Sequence, residues 1–576
     1  MDKKNHQLIN NKSVTIATVI LYLLAMLTFE IFYCNSTNVT NIINGGQANY
    51  YFSICRIIVY IVFFTLYFVF KNKLIEEAIE MSKNKYKRIF DYIAIILTVV
   101  ITVGAIITII IANNPAITRS IAIGMITVFL GAIFILYVSN SHIKNIIVVV
   151  FTIGIVFTIT TRYNHALDEK KHFMSAFNIA SGNFDYAKNP VTDLQVEQLP
   201  QLYKYTNNID EFLSQSYKPQ ITNEVNEEDV PSTPAGYSPI FYIVSAIGIW
   251  ISKILGGSIL DMYILGRIFN LILYGVLTSL AIKLLPYKKN IFMVIFMMPL
   301  MILLAASYSI DGICMGFVSL FIAYVLKLKK EREYITLKDF IILVGFGVML
   351  LMVKSMAYIM VAFILFMLPL WKTLKKNKKY LPIIITITII ICILLVALLM
   401  YIKNTKIVAD TRAAGNISVS EQLKYIIGNP LFDLKLILVH LQDTLLNFNW
   451  LTALHHPVFF TDKAQSVMLL MFVFLLYVAL TEDDHHFKIK DKIILTISFF
   501  LVYFMTSMVL YLSFTQVGKL GIDGYQPRYL LPILPLVLMC ISHPKVKCEK
   551  SKNRNMNIQI ISGIFIIIGI MQNIII

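Results

Sequence analysis

Runs of about twenty apolar residues recur from one end of this chain to the other, and that repetition limits its fold more than any other feature. Val14–Tyr33 is one such run, and Leu381–Tyr401, rich in Ile, Leu, Val and Thr, is another. Backbone N–H and C=O groups have no water to bond in hydrocarbon, so a segment that crosses must be a helix or a strand of a closed barrel. The alternating pattern of barrel strands is absent, which leaves helices. Composition agrees: 57% of residues are hydrophobic and 14% are charged, against roughly a quarter charged in soluble domains. The fold class is therefore an all-α integral membrane protein.

Candidate spans fall at 14–35, 52–70, 89–112, 117–138, 143–161, 260–284, 290–307, 310–327, 338–353, 356–371, 380–402, 465–481, 491–514, 528–542 and 557–575, about fifteen in all. Val14–Tyr33 is too long for a signal-peptide core and is followed by no clear small-residue cleavage site, so it is expected to stay as the first helix. The net charge of +17 would suggest nucleic acid in a soluble protein. Here the lysines crowd short loops between spans, which is how cytoplasmic loops fix topology. The cysteines are scattered, without metal-ligand spacing, and the long polar loops contain none.

Tyr237–Gly256 is apolar enough to cross, and loop charge argues against it. With the N-terminus cytoplasmic, the basic loop Lys71–Arg88 lies inside and 162–236 lies outside. If 238–256 crossed, the loops carrying Lys288 and Lys289, Lys327–Lys338 and Lys372–Lys379 would all be inverted. A juxtamembrane helix at the outer surface returns them, and Lys545–Arg554, to the cytoplasm; Tyr237, Tyr242 and Trp250 suit that interface. Four units follow: a four-helix module at 1–142, a core at 143–402 that includes outer loop 162–256, a second outer loop at 403–464, and C-terminal helices at 465–576.

Ionisable residues converge on the outer face. Directly after the fifth span come His165, Asp168, Glu169 and His172; on a helix His165, Glu169 and His172 would share a face, with Asp168 reaching His172 at i,i+4. Two carboxylates at a low-dielectric boundary suit a general base or a divalent metal; salt bridges to Lys170 and Lys171 are the plainer alternative. Arg267, Asp311, Lys354 and Arg528 lie at span ends on that same face, where charge is costly and points to function. Their cations suit a phosphate headgroup, Arg through two oxygens at once, although a lone cation there can simply snorkel to lipid. His455-His456 is metal-like only in composition, because neighbouring histidines face apart on a helix, and Glu482–His486 is expected to be a solvated cytoplasmic turn. No phosphate-binding glycine loop, Ser/His/Asp elbow or zinc-protease motif is present.

Asp168-Glu169-x-x-His172-Phe173 resembles the Pro-Pro-Asp-Glu-x-x-His-Phe signature of a bacterial multi-pass membrane family of unknown function. The order continues with Tyr-Ser-Pro-x-x-Tyr at Tyr237–Tyr242, Leu-Gly-Arg-x-x-Asn at Leu265–Asn270, Ser-x-Asp at Ser309–Asp311, Lys354 with Tyr358, and Gln-x-Arg-Tyr-x-x-Pro at Gln526–Pro532. The resemblance spans roughly 143–543, and Ala166 and Leu167 stand where the signature has its two prolines. That family in turn resembles the GT-C membrane glycosyltransferases, which place an acidic residue in the first outer loop of their core and take sugar from a polyprenyl-phosphate carrier.

The resemblance implies transfer of a sugar from a polyprenyl-phosphate donor to a glycan or teichoic-acid-like acceptor of the cell envelope, at the outer face of a bacterial cytoplasmic membrane, with no nucleic-acid partner. Asp168 is the expected base, Glu169 the second carboxylate or metal ligand, and His172 their positioning group. Arg267, Lys354 and Arg528 are the expected donor-phosphate contacts, Asp311 completes an acidic pair, and Tyr237 and Tyr529 join the substrate contacts. A divalent metal, if one is used, would sit on Asp168 and Glu169. The alternatives are a flippase or exporter of lipid-linked saccharides, which needs the cations without an essential carboxylate, and a non-catalytic subunit of envelope polymer assembly.

Overall fold

The computed structural model describes residues 15–28, 61, 65, 85–112, 115–161, 166, 168–184, 191–193, 196, 218–219, 221–222, 237–369, 372, 417–447, 465–482, 485–542 and 553–575. The expected span 380–402 and nearly all of 52–70, together with His165, His455 and His456, lie outside the described residues. Among those described, helix dominates, and the one strand pairing is a two-residue antiparallel bridge between Thr192–Asp193 (β1) and Ile221–Thr222 (β2).

Helices α1 (Thr15–Thr28), α2 (Lys85–Ala112) and α3 (Pro115–Tyr137) precede α4 (His142–Val149), which passes through a π turn at Val150–Gly154 into α5 (Ile155–Thr160). Then come α6 (Glu169–Ala180), α7 (Ile243–Ile254), α8 (Ile259–Leu284), α9 (Lys289–Phe296), α10 (Pro299–Ala305), α11 (Asp311–Glu331) and α12 (Leu337–Met352). A 3-10 helix follows at Lys354–Met367. The rest comprises α13 (Val419–Gly428), α14 (Pro430–Leu441), α15 (Gln465–Thr481), α16 (Ile489–Ser513), a 3-10 turn at Pro527–Leu530, α17 (Leu534–Ile541) and α18 (Arg554–Ile575). Among the described residues, five stretches are both long and apolar enough to cross a membrane: Ile89–Thr108, His142–Ile159, Ile259–Leu284, Asp311–Glu331 and Ile489–Ser513.

Three departures from the expected spans have local causes. The single span at 290–307 is instead two short buried helices, α9 and α10, broken at Met297–Met298; Pro299 disfavours helical backbone in the residue before it, and Met298 is extended. The span at 356–371 is largely the 14-residue 3-10 helix, whose rise of about 2.0 Å per residue stretches it to about 28 Å, where an α-helix would reach about 21 Å. Within the expected outer loop 403–464, residues 419–446 are helical, as α13, α14 and a π turn at Gln442–Leu446.

The ambiguous segment becomes a 3-10 turn, Pro239–Phe241, and the 12-residue α7. At 1.5 Å per residue α7 is about 18 Å long, well short of a hydrocarbon core of about 30 Å. Its small-residue face, Ser245, Ala246, Gly248 and Ser252, is buried, and Ile247, Trp250 and Ile254 are exposed. A Cβ on Gly248 would lie 2.7 Å from the Leu265 carbonyl oxygen, so glycine lets α7 and α8 meet backbone to backbone. A capping box starts α8, with the Asp261 N–H donating to Ser258 Oγ at 3.1 Å and the Ser258 N–H to Asp261 Oδ2 at 2.7 Å.

The charged residues separate by helix end. Lys283, Lys288, Lys329, Lys330, Lys338, Lys488 and Lys490 gather where α8 and α11 finish and α12 and α16 begin. That end is tied by a polar knot. Asn290 Nδ2 bonds Asn555 Oδ1 at 2.9 Å, His142 Nε2 bonds Asn290 Oδ1 at 2.8 Å, and the Lys288 ammonium donates to the Glu482 carbonyl. Glu482 is only 4% exposed and the His485 ring stacks on Tyr287 at 4.0 Å, so the expected solvated turn is packed at both of these residues. The opposite ends of the same helices carry Arg267, Asp311, Lys354 and Arg528.

Candidate active site

Asp168 and Glu169 open α6. Asp168 is its N-cap, in the left-handed region at φ 60°, and Glu169 is its first residue. Asp168 therefore does not stand on the helix, and the expected i,i+4 pairing of side chains is replaced by a backbone bond from the His172 N–H to the Asp168 carbonyl at 3.2 Å. The kink turns the two neighbouring carboxylates into different surroundings.

Glu169 is fully buried against Arg267. Arg267 Nε donates to Glu169 Oε1 and Nη2 to Oε2, both at 2.8 Å, and Nη1 donates to the carbonyls of Thr161 (2.7 Å) and Thr158 (3.1 Å). The Tyr308 N–H adds a contact to Glu169 Oε1 at 3.3 Å, and the Arg267 guanidinium lies 4.4 Å from the Tyr263 ring centre. A paired fork with its remaining donors on carbonyls is a closed unit. Two expectations change: Arg267 is taken up by the protein rather than open to a donor phosphate, and Glu169, the second carboxylate of a metal site if one is used, has both oxygens engaged by Arg267. Among the described residues no group of three or more His, Cys, Asp or Glu gathers to hold a metal.

Asp168, Asp311, Lys354 and Arg528 meet in a chain of ionic contacts although they come from four separate segments. Asp311 is the first residue of α11 and holds Lys354 by one oxygen, while its other oxygen stands 3.2 Å from Arg528 Nε. Arg528 Nη2 reaches Asp168 Oδ2 at 3.3 Å. Ser309 Oγ donates to Asp311 Oδ2 at 3.1 Å. Lys354 takes up φ 42° at the break between α12 and the 3-10 helix; Asp168, Lys354 and Lys288 are the non-glycine residues with positive φ among those described, and two of the three belong to this cluster. Left-handed backbone at such residues is strained and persists where the surroundings enforce it.

The cluster is open on one side. The Asp168 side chain is 27% exposed, against 11% for Asp311 and 4% for Arg528. Arg528 Nη1 and Nε are buried without a hydrogen-bond partner, Nε keeping only its ionic contact with Asp311. Tyr529 lines the same place: the Lys354 ammonium lies 4.3 Å and the Arg528 guanidinium 5.6 Å from its ring centre, and its carbonyl accepts from Tyr358 Oη at 2.8 Å.

His172 does not bridge the carboxylates as expected. Its Nδ1 is 2.7 Å from Tyr242 Oη and its ring stacks on Tyr237 at 5.8 Å. Burial pushes the imidazole down to about 4, with Asp311 and Asp168 pulling the other way, so it is neutral at pH 7. Burial also pushes the Tyr237 phenol above its ordinary range. Asn270 has a structural task that its place in the Leu-Gly-Arg-x-x-Asn stretch did not reveal. Its Nδ2 reaches the carbonyls of Ser307 (2.6 Å), Ser309 (3.1 Å) and Ala305 (3.3 Å), fixing the turn that presents Asp311. Its spacing, one helical turn after Arg267, is the signal that places both on one face of α8.

A family model described as Predicted membrane protein (DUF2142) matches residues 151–537. No curated protein and no solved structure matches the chain. The matched range is about two thirds of the chain and includes every residue of the closed pair and of the open cluster. It leaves out α1 to α4 and α18. Of these, α3 and α18 pack closely: a Cβ on Gly563 of α18 would run into the Phe134 ring of α3.

Proposed function

We propose that this chain, which belongs to the DUF2142 family of predicted membrane proteins, transfers a sugar from a polyprenyl-phosphate carrier to a hydroxyl of a cell-envelope acceptor at the extracytoplasmic face. The observation that carries this reading is the ionic chain Asp168–Arg528–Asp311–Lys354, with one carboxylate open and one guanidinium nitrogen lacking a partner. Two largely buried cations beside an accessible carboxylate are the groups that displacement of a phosphate by a hydroxyl needs.

In the proposed reaction the acceptor oxygen attacks the anomeric carbon and the bond from that carbon to the carrier-phosphate oxygen breaks. Asp168 takes the acceptor proton as the new bond forms. The bond electrons leave with the phosphate, whose charge grows as it departs. Arg528 would turn its unpartnered Nη1, and Lys354 its ammonium, toward that charge, and fixed cations act most strongly where charge develops. Asp311 holds both cations in place meanwhile. The separation of basic helix ends from the cluster supports an extracytoplasmic site through the positive-inside rule.

The reading is tested by supplying detergent-solubilised protein with a polyprenyl-phosphate sugar and measuring carrier phosphate release with an envelope glycan acceptor. Asp168→Asn is expected to lower the rate by about 100-fold or more with unchanged melting. Wild-type turnover in that variant removes Asp168 as the base, and carrier translocation without release favours the exporter.

A further inference from the structure

Two further side chains close to Arg528 in the sequence present buried polar atoms with no partner: Tyr525 Oη and Gln526 Oε1. They directly precede Pro527 and Arg528. A buried hydroxyl and a buried amide oxygen without partners are costly, and in a native fold such groups ask for an explanation. Here the unpartnered atoms are clustered, since Arg528 Nη1 shares the condition. All three belong to the four-residue stretch Tyr525–Arg528, whose last residue is part of the open cluster.

The chain holds that stretch in place. Gly524, at φ 75°, packs so tightly that a Cβ would lie 2.7 Å from the Phe514 ring. Two residues upstream of Tyr525, the Asp523 N–H donates to Thr515 Oγ1 at 3.0 Å, and Gly518 N donates to Gln422 Oε1 of α13 at 3.1 Å. Tyr525 is thereby fixed among aromatic rings. Tyr529 lies 5.9 Å from it, Tyr503 5.8 Å, and His440 of α14 stands edge-on at 4.8 Å. The His440 Nε2 is itself occupied, 2.7 Å from Ser507 Oγ. Small-molecule sites are walled mainly by apolar and aromatic side chains, with a few placed polar groups that fix orientation.

We infer that Tyr525 and Gln526 form a subsite for the uncharged, hydroxyl-bearing part of the donor, its sugar ring, beside the cations that would take its phosphate. The inference rests on the reaction proposed above. It explains why a donor (Tyr525 Oη) and an acceptor (Gln526 Oε1) on neighbouring residues are both left unpaired, as a sugar hydroxyl both donates and accepts. The cations would hold any polyprenyl phosphate; these two residues would distinguish a sugar-bearing carrier from a bare one.

Binding to the purified full-length protein in detergent tests this with undecaprenyl phosphate and with the same carrier bearing glucose, galactose, mannose or arabinose. Wild type is expected to prefer at least one sugar-bearing carrier. Tyr525→Phe and Gln526→Leu are each expected to lose about tenfold of that preference, a change of about 1.4 kcal/mol, while binding bare carrier like wild type. Melting of Tyr525→Phe should not fall, because the deleted hydroxyl has no bond inside the protein. A lowered melting point, or a preference that survives both substitutions, overturns the inference. Equal wild-type binding of bare and sugar-bearing carriers also overturns it and leaves the phosphate site standing. Binding of none of the carriers instead removes the proposed function itself.

Discussion

Asp168 and Glu169 are neighbours in sequence and opposites in structure. Glu169 is sealed with Arg267 in a bidentate pair whose remaining donors are on Thr158 and Thr161 carbonyls. Asp168, one residue earlier, is partly exposed and reaches Arg528, which is shared with Asp311 and keeps one nitrogen unbound. Both regions join an acid to an arginine across a long stretch of chain. One has used its bonding capacity and holds α6 against α5 and α8; the other has capacity left for a ligand. Buried charge is therefore no guide to chemistry by itself. What separates a strut from a site is whether the polar atoms are already spent.

The largest expected effect comes from breaking the closed pair. Glu169→Gln leaves the Arg267 charge buried without its counterion, and Arg267→Met leaves the Glu169 carboxylate in the same state. Each is expected to cost about 3–5 kcal/mol, seen as a lowered melting temperature or lost expression in detergent. The double variant Glu169→Leu with Arg267→Met removes both charges and is expected to regain part of that loss. Recovery stays incomplete because the Thr158 and Thr161 carbonyls lose their donor. Single variants that melt like wild type would show that the pair is not a strut.

The open cluster should respond in the other sense. Arg528→Lys keeps the charge and loses the fork, so one ammonium replaces three nitrogens that face Asp168, Asp311 and a bound phosphate. Loss of a hydrogen bond to a charged group is worth about 1.5–3 kcal/mol, which predicts polyprenyl-phosphate binding weakened by roughly tenfold or more, with melting nearly unchanged. Unaltered affinity would mean that Arg528 serves Asp168 and Asp311 alone and that the two arginines do the same job.

How far the sequence could carry this comparison depends on what sets each feature. The convergence of Asp168, Asp311, Lys354 and Arg528 was legible because loop charge fixes which helix ends share a face, and span-end charges are costly enough to stand out. The loop-charge argument against a crossing at 238–256 agrees with a helix there that is too short for a hydrocarbon core. The division of labour between Asp168 and Glu169 was not. It depends on a single left-handed residue at the start of α6, which helical periodicity cannot express, and on Arg267 being one turn from Asn270 on the buried face of α8. The break at Met297–Met298 carried a local signal in Pro299. The stretched 3-10 helix at Lys354–Met367 carried none, since its apolar run reads like any other span.

Per pH unit, the smallest effect belongs to His172, which stands near Glu169 in sequence and is linked by charge to the open cluster. It sits three residues after Glu169 and its electrostatic neighbours are Asp311, Asp168, Arg528 and Lys354. Its ring is held neutral by burial, with a folded value of about 4 against 6.5 when free. Below pH 6.5 the unfolded chain binds a proton that the folded protein refuses until about pH 4. Folding stability is therefore full above pH 6.5 and falls as pH drops through that window, by at most about 1.4 kcal/mol per pH unit for this one group. The expected outcome is a melting temperature that declines from about pH 6.5 to about pH 4.5 more steeply in wild type than in His172→Gln, which cannot take up the proton. Parallel declines in the two proteins would show that His172 takes up its proton as readily in the folded protein as in the unfolded chain, so that at low pH the stack on Tyr237 and the bond to Tyr242 would hold a third cation beside Lys354 and Arg528.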